Sequence, residues 1–501
     1  MTGPEGFVIP AATAATVEPE PQTAQQVDPV ATCIAHNGPV TVDALIPTPS
    51  AAFCPQHLSG ACRSCPHQDL PVVEQLAAKQ RRVVSLLAGT VPEDAWLPAV
   101  PSAPTRFRNK AKMVVSGTSA RPVLGILGPD GVGVDLRRCP LHVEDIERAL
   151  PVLAAAVSRL GLEPYDVARR RGELKHLLVT ASPDGDLMVR WVLRSHHHLP
   201  ALRADLARLR RELGTLAVMS ANIQPVHQAV IEGEEEVLLT REPGADRMLM
   251  RLSLPGLATH PHGGAGRPGS GGPGETRPGA GRELPLMLPT RSFFQTNTAV
   301  AEQLYATAAA WAQDLSPARA REPVRVWDLF CGVGGFALAL ASEGRRVHGV
   351  EVSAPAIEGA RAAAVLMGLD EQAVSFTPGD ARLLDPSRAQ ALGGVPDLLV
   401  VNPPRRGIGV ELAQRVEDSG VARMLYSSCN PASLAADLEA MPSLSVRRAQ
   451  LFDMFPHTDH AEVLVELVRR PPSRTAPSPT QTSSARAAST STRRASTSAA
   501  A

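Results

Sequence analysis

The sequence predicts an α/β protein whose C-terminal part is a doubly wound, Rossmann-like sheet, preceded by a smaller α+β domain and a cysteine-rich loop. Three observations predict it. From Val324 onward, short apolar runs alternate with helical patterns, as in a parallel sheet covered on both faces. A glycine turn, Cys331-Gly-Val-Gly-Gly335, follows the first run, where backbone can approach a ligand closely. A later run, Met424 to Tyr426, enters a tight turn with Cys429 at its tip, and Asn430-Pro431 then opens a helix. Cys429 therefore stands at a strand's C-terminal end, where such sheets place their ligands, and near a helix N-terminus, which favours thiolate. The ordinary alternative is a half-buried structural cysteine.

At 501 residues the chain has room for two or three domains. Residues 1–50, rich in Ala, Pro and Thr, are expected to be a disordered arm. So is the tail 471–501, whose only charges are Arg474, Arg486, Arg493 and Arg494. No basic stretch leads into an apolar run at the N-terminus, and nothing approaches a bilayer-spanning segment, so the expectation is a cytoplasmic protein with no membrane partner. Fifty Lys and Arg balance fifty Asp and Glu, so nucleic-acid binding has to be argued from local clusters. In a cytosolic chain the seven cysteines read as ligands or nucleophiles before disulfides.

Residues 51–143 hold the cysteine loop and the first part of the central region. Cys54, Cys62 and Cys65 lie on one short stretch, and Cys139 arrives from a distant segment. Three thiols and a remote fourth suit a four-iron four-sulfur cluster, while a four-cysteine zinc site, with His57 and His67 nearby, or an unligated loop also fit. Cys33, in the arm, has no evident role. Residues 71–88 repeat apolar side chains at helical spacing. Arg106, Arg108, Lys110 and Lys112 then recur with a period of two, which on a strand makes a comb for phosphates or a solvated edge.

Residues 144–257 read as a small α+β central domain, with strands at 177–180, 187–193, 217–223 and 236–240 and a helix at 200–213. The run His196-His-His198 lacks a nearby carboxylate or cysteine in sequence and reads as a polar strand end. Residues 258–283, dominated by Gly, Pro, His and Arg, read as a flexible insertion.

The sheet domain occupies 284–470. Asp328 precedes the glycine turn, whose Gly332 and Gly335 free the backbone to approach a ligand. Glu351 ends the second strand at about the spacing that receives a ribose hydroxyl. Asp380 follows the third strand, Asn402-Pro-Pro-Arg-Arg-Gly407 the fourth, and Ser292 to Asn297 precedes the first. The six-residue dinucleotide fingerprint is not met. An adenosyl ligand of another type is expected, S-adenosylmethionine being the natural one. Asn-Pro-Pro also occurs in enzymes that methylate exocyclic amino groups, but those need an aromatic residue where this chain has Arg405.

Phe293-Phe-Gln295-Thr-Asn297, Asp328 to Phe336, Val401 to Gly409, Tyr426-Ser-Ser-Cys-Asn430 and Leu451 to Thr458 together resemble the RNA uracil-5-methyltransferases. Within these the chain is most similar to the branch acting on 23S ribosomal RNA, over residues 51–469. The resemblance implies a four-iron four-sulfur cluster on Cys54, Cys62, Cys65 and Cys139. It also implies cofactor contacts at Gln295, Phe330, Glu351 and Asn402. Many relatives carry Asp in place of Asn402, whereas this branch carries Asn. The RNA-binding barrel of some relatives has no counterpart in residues 1–50.

The chemistry asks for the same residues. Uracil C5 is too weak a nucleophile to take a methyl group until a thiolate adds at C6, a role for Cys429. The C5 proton must then leave to a base, for which Glu462 is the candidate, its ordinary alternative being a strand-end carboxylate in a solvated turn. The expected product is 5-methyluridine in 23S ribosomal RNA, in a single-stranded loop where the base is cheaply unstacked, made by a monomer. A transfer-RNA uracil or RNA cytosine methyltransferase is the enzymatic alternative. An iron-sulfur RNA-binding protein with a degenerate catalytic domain is the non-enzymatic one.

Overall fold

The computed structural model describes residues 53–228, 230–257, 281–315, 322–383 and 394–471, all within one compact unit, Pro47–Ala501. The expected arm, nearly all of the tail, Cys33 and residues 258–280 of the expected insertion lie outside the described residues.

A short helix α1 (Pro55–Leu58) in the cysteine loop and a long helix α2 (Val72–Leu86) precede strands β1 (Lys110–Thr118), β2 (Arg121–Leu127) and β3 (Gly133–Asp135). Helix α3 (Glu144–Arg159), β4 (Leu174–Ala181), β5 (Leu187–Leu193), α4 (Leu199–Leu213), β6 (Leu216–Ile223) and β7 (Glu235–Leu238) follow. These seven strands form one sheet, ordered β3-β2-β1-β4-β5-β6-β7. Strands before and after residue 143 thus share a sheet, β1 pairing directly with β4. Leu187, Val189, Trp191 and Leu193 of β5 alternate onto the face that packs with α3 and α4. On the opposite face Arg190, 2% exposed, is paired with Glu232 and Glu236, and Ser220 and Asn222 bond Glu236 too. The charge is buried because every partner is supplied.

The comb of cations is not a single strand face. The strand starts only at Lys110, and Arg106, at φ 57, turns out to pair with Glu147. His196 has the carboxylate that its sequence neighbours lack: Glu235 of β7, at 2.8 Å.

Strands β8 (Arg247–Leu254) and β9 (Arg282–Pro289) form an antiparallel ribbon. Arg282 and Glu283, expected in the flexible insertion, are therefore strand, and Arg282 is buried with its guanidinium on the carbonyls of Leu338 and Ala341.

Helix α5 (Thr298–Trp311) leads into the second sheet. Its elements are β10 (Val324–Leu329), α6 (Gly335–Leu340), β11 (Arg345–Glu351), α7 (Ala354–Leu366), β12 (Val374–Pro378), β13 (Leu398–Val401), α8 (Gly409–Ser419), β14 (Arg423–Ser428), α9 (Pro431–Glu439), β15 (Leu444–Phe452) and β16 (Glu462–Arg469). The order is β12-β11-β10-β13-β14-β16-β15, with β10 to β14 parallel and β16 antiparallel to both its neighbours.

Both faces of this sheet are apolar, and the residues alternate between two cores. Val326, Leu398, Val400 and Leu425 pack with α5, α6, α7 and the β8-β9 ribbon. Trp327, Leu399, Val401, Met424 and Tyr426 pack with α8, α9 and α2. Each such buried side chain contributes about 1.5–3 kcal/mol.

Topology sets the site. The parallel strands end together at Leu329, Glu351, Pro378, Val401 and Ser428, and the order reverses between β10 and β13, where open α/β sheets form their ligand crevice. Because β16 runs backwards, its first residue, Glu462, arrives at that same edge, one position before the Val463 that pairs with Ser428.

Candidate active site

The glycine turn between β10 and α6 is tightly wound. Phe330 has φ 64, Gly332 φ 54 and Gly334 φ 87; the left-handed conformation is costly for a phenylalanine, so its surroundings must enforce it. A Cβ on Gly335 would lie 2.6 Å from the Tyr305 ring, while one on Gly332 would meet nothing within 4 Å. One glycine is required by packing, and the other leaves space on the ligand side.

Glu351 braces this turn. Its carboxylate accepts the Gly332 N–H at 3.2 Å and the Ser353 N–H at 2.9 Å, and it is half-buried. Asp328 is fully buried, accepting the Ala337 N–H at 2.9 Å on one oxygen, with no partner for the other. Burial pushes its carboxyl up to about 8; the Ala337 N–H offsets part of the rise and Glu351 adds to it. Asp380 lies past β12 with its carboxylate gripped by Arg382 through contacts of 2.5 and 2.9 Å, which holds it below the usual carboxylate range. Asn402 is half-buried beyond β13, and Gln295 is buried two residues before the Asn297 that caps α5.

Cys429 and Glu462 come together across the β14–β16 pair. Glu462 is 1% exposed, not in a solvated turn, and the Ser427 hydroxyl donates to its carboxylate. Burial pushes the acid up to about 7, against a smaller lowering by Ser427. Cys429 is half-buried. Burial raises its thiol and Glu462 raises it further, outweighing Arg405, which lowers it. Ser427 and Ser428 divide the work: Ser428 bonds the turn, accepting the Asn430 N–H at 3.2 Å, while Ser427 points to the other face and reaches Glu462.

The loop after β13 is clamped onto α9. Asn430 and Ser433 donate to the Arg405 carbonyl at 2.8 and 3.1 Å. Asp437 accepts from the Ile408 and Gly409 N–H groups at 2.9 and 3.0 Å and from the Tyr426 hydroxyl at 2.5 Å. Asp437 was not singled out in the sequence; a buried acid at the helical offset of seven from Asn430 is its only local signal, and the bond from Ser427 to Glu462 shows there only as a parity opposite to that of Ser428. Asp453 and His457 turn away from the thiol. Asp453 is ion-paired with Lys79 at 2.6 Å, and His457 bonds the Pro104 carbonyl at 2.7 Å.

The four cysteines of the N-terminal region converge. Cys54, Cys62, Cys65 and Cys139 line one cavity of about 140 Å³, together with Gln68, Arg108 and His142. Gln68 Nε2 and His142 Nδ1 are buried there without a partner. Burial and the three neighbouring thiols push Cys65 up to about 12. Among the described residues, no three His, Cys, Asp or Glu side chains are drawn together as for a single metal ion.

A parallel sheet of this order, closed by a reversed strand, is the framework of a methyltransferase. Comparison with known proteins narrows the class. Residues 275–374 and 395–470 match the tRNA (Uracil-5-)-methyltransferase family model. The 23S rRNA (uracil(747)-C(5))-methyltransferase RlmC of Halothiobacillus neapolitanus is 48% identical over 419 residues, covering 83% of this chain and 99% of its own. The RlmC proteins of Shewanella amazonensis and Yersinia pseudotuberculosis are 42% and 44% identical over 83% of this chain. Among solved structures, the Pyrococcus abyssi tRNA (uracil-54, C5)-methyltransferase in complex with S-adenosyl-L-homocysteine shares the fold, with a TM-score of 0.61, 20% identity, and coverage of 81% of this chain and 86% of its own. The chain belongs to the RNA uracil-5-methyltransferase family.

Proposed function

We propose that this protein methylates C5 of a uridine in 23S ribosomal RNA, with S-adenosylmethionine as donor and Cys429 as covalent nucleophile. The observation that carries the reading is the delivery of Cys429, Glu462 and the glycine turn to one edge of the sheet by strands of opposite direction. The relatives named above support the substrate, and position 747, from which they are named, is the target we assign.

S-adenosylmethionine supplies an electrophilic methyl group on a sulfonium. The residues do the rest. Cys429, deprotonated, adds its sulfur to uracil C6, and the electron pair released onto C5 takes the methyl group, leaving S-adenosylhomocysteine. Glu462, whose acidity is tuned near neutrality, takes the C5 proton. The pair from that C–H bond re-forms the C5–C6 double bond and expels the Cys429 thiolate. Gly332 leaves room for the donor while Glu351 fixes the turn. A single-stranded loop as substrate, a monomeric enzyme and a cytoplasmic location complete the reading. Among the described residues, no helix is long and apolar enough to cross a membrane.

The cysteine cavity fits an iron-sulfur cluster. Four thiols line one cavity whose wall also holds the buried, partnerless Gln68 Nε2 and His142 Nδ1, and a cluster held there would supply a sulfur acceptor to the Gln68 amide. A zinc ion, with Zn–S bonds of about 2.3 Å, would require the four sulfurs to close onto one centre. Cys54, Cys62, Cys65 and Cys139 would hold the cluster. Protein purified without oxygen should be brown, with about four irons and four sulfides per chain. Stoichiometric zinc without sulfide would rule this out.

The function is tested by incubating ribosomal RNA from a strain lacking the gene with the enzyme and labelled donor. Label at uridine 747 of 23S RNA, absent with Cys429→Ala, is the expected result. Methylation confined to transfer RNA would overturn the assignment.

A further inference from the structure

The run of cations at Arg106 to Lys112 found no role as a comb, and the residue that stands out within it is the uncharged Asn109. It is 2% exposed and spans three parts of the molecule. Its carbonyl accepts the N–H of Ala181, the last residue of β4, and its N–H donates to the Thr296 carbonyl, both at 2.9 Å. Its side-chain amide uses both hydrogens on the turn before α5, donating to the Gln295 carbonyl at 3.0 Å and the Thr298 hydroxyl at 2.8 Å. On its other flank the segment pairs with the fourth-cysteine stretch, Arg106 and Arg108 donating to the carbonyls of Pro140 and Leu141 at 2.9 and 2.8 Å. Arg108 bridges to His142 on one side and Asn297 on the other, so three short extended pieces lie edge to edge.

We propose that Asn109 is a positioning residue for the methyl-donor pocket, locking the Gln295 to Thr298 turn against the first sheet so that Gln295 meets the donor in a fixed orientation. This rests on the reading of Gln295 as a donor contact. Only an asparagine meets the demands of the position. Aspartate is the same size but presents no N–H to the Gln295 carbonyl, serine and alanine are too short, and glutamine is too long for the buried gap. The Gln295 turn has no regular pairing within the second sheet, whose strands start at β10, so its placement depends on this joint and on the Asn297 cap, itself tied to the Ser102 hydroxyl at 2.8 Å.

The test is calorimetric binding of S-adenosylhomocysteine to the full chain. Asn109→Asp should weaken binding about tenfold, and in a Gln295→Ala background the same substitution should change affinity less than twofold, because the amide acts through Gln295. A general loosening would give the same loss in both backgrounds and would overturn the proposal, as would unchanged affinity in Asn109→Asp. If Asn109→Asp does not fold, Thr298→Val withdraws one partner of the amide and leaves the rest. A loss of a few-fold that disappears in the Gln295→Ala background supports the proposal, and unchanged affinity overturns it. Should Gln295→Ala alone bind normally, the donor-contact reading of Gln295 fails and this one with it. Loss in Gln295→Ala without loss in Asn109→Asp defeats this one alone.

Discussion

Ser427, two positions before Cys429, donates its hydroxyl to Glu462 across the β14–β16 pair. The bond favours the ionised acid, so its loss should raise an acid already near 7. Proton removal needs the carboxylate, so the rate of adduct release should rise with pH through about 7. Ser427→Ala should move that limb to higher pH while leaving the plateau within a few-fold. Single-turnover rates against pH measure it, and an unmoved limb would remove Ser427 from the mechanism. For stability the sign is opposite. An acid raised above its unfolded value of about 4.5 favours the fold at low pH, and that contribution is lost as pH climbs through 7.

Glu462→Gln separates the halves of the reaction. The adduct forms and accepts the methyl group, but the C5 proton has no acceptor and the thiol cannot leave. A slow band on a denaturing gel, containing methylated RNA, is expected. It should vanish in the Cys429→Ala, Glu462→Gln double variant; persistence there would point to another nucleophile. Asp453 and His457, otherwise the next bases to try, are committed to Lys79 and Pro104.

Glu351→Ala withdraws the carboxylate assigned above to the donor's ribose and at the same time frees the Gly332 and Ser353 N–H groups. Donor affinity should fall by about 1.5–3 kcal/mol, the worth of a charge-assisted bond. Glu351→Gln keeps one acceptor and should recover part of that. Titration calorimetry with S-adenosylhomocysteine is the readout, and equal affinity for all three proteins would take Glu351 out of the pocket.

Lys79 and Asp453 are 3% and 2% exposed in their side chains, with Nζ also donating to the Phe455 carbonyl at 2.9 Å. Asp453→Asn leaves a buried ammonium without its counter-charge, which should cost about 3–5 kcal/mol in urea unfolding. Lys79→Met with Asp453→Leu should recover most of the loss. If the single and double variants unfold alike, the pair is not what holds α2 to the second sheet.

Much of this was legible in the sequence, because alternation and turn chemistry are local. The strand and helix pattern after Val324, the glycine turn and the thiol at a strand's end follow from periodicities of two and 3.6 and from Gly, Asn and Pro. What escaped was set by pairing across long separations. Nothing near Glu462 shows that an antiparallel last strand buries it and weakens it as an acid. Nothing near Asn109 shows that Gln295, 186 residues away, is its partner. The cations around it resembled a phosphate comb because a period of two was read past the point where Arg106 reverses its φ. Nor does the sequence around Cys429 show the burial and the neighbouring Glu462 that raise its thiol.

The bond between Lys79 and Asp453 joins residues 374 positions apart, and that from His67 to Asp459 joins residues 392 apart. A ribosome making this chain emits the cysteine loop and α2 long before their partners exist. Glu462, the residue proposed as the base, is synthesised later still. Until this last stretch, residues 453–462, emerges, Lys79 lacks its counter-charge and Cys429 its neighbouring carboxylate, so the N-terminal segments dock and the sheet-edge site closes only late in synthesis.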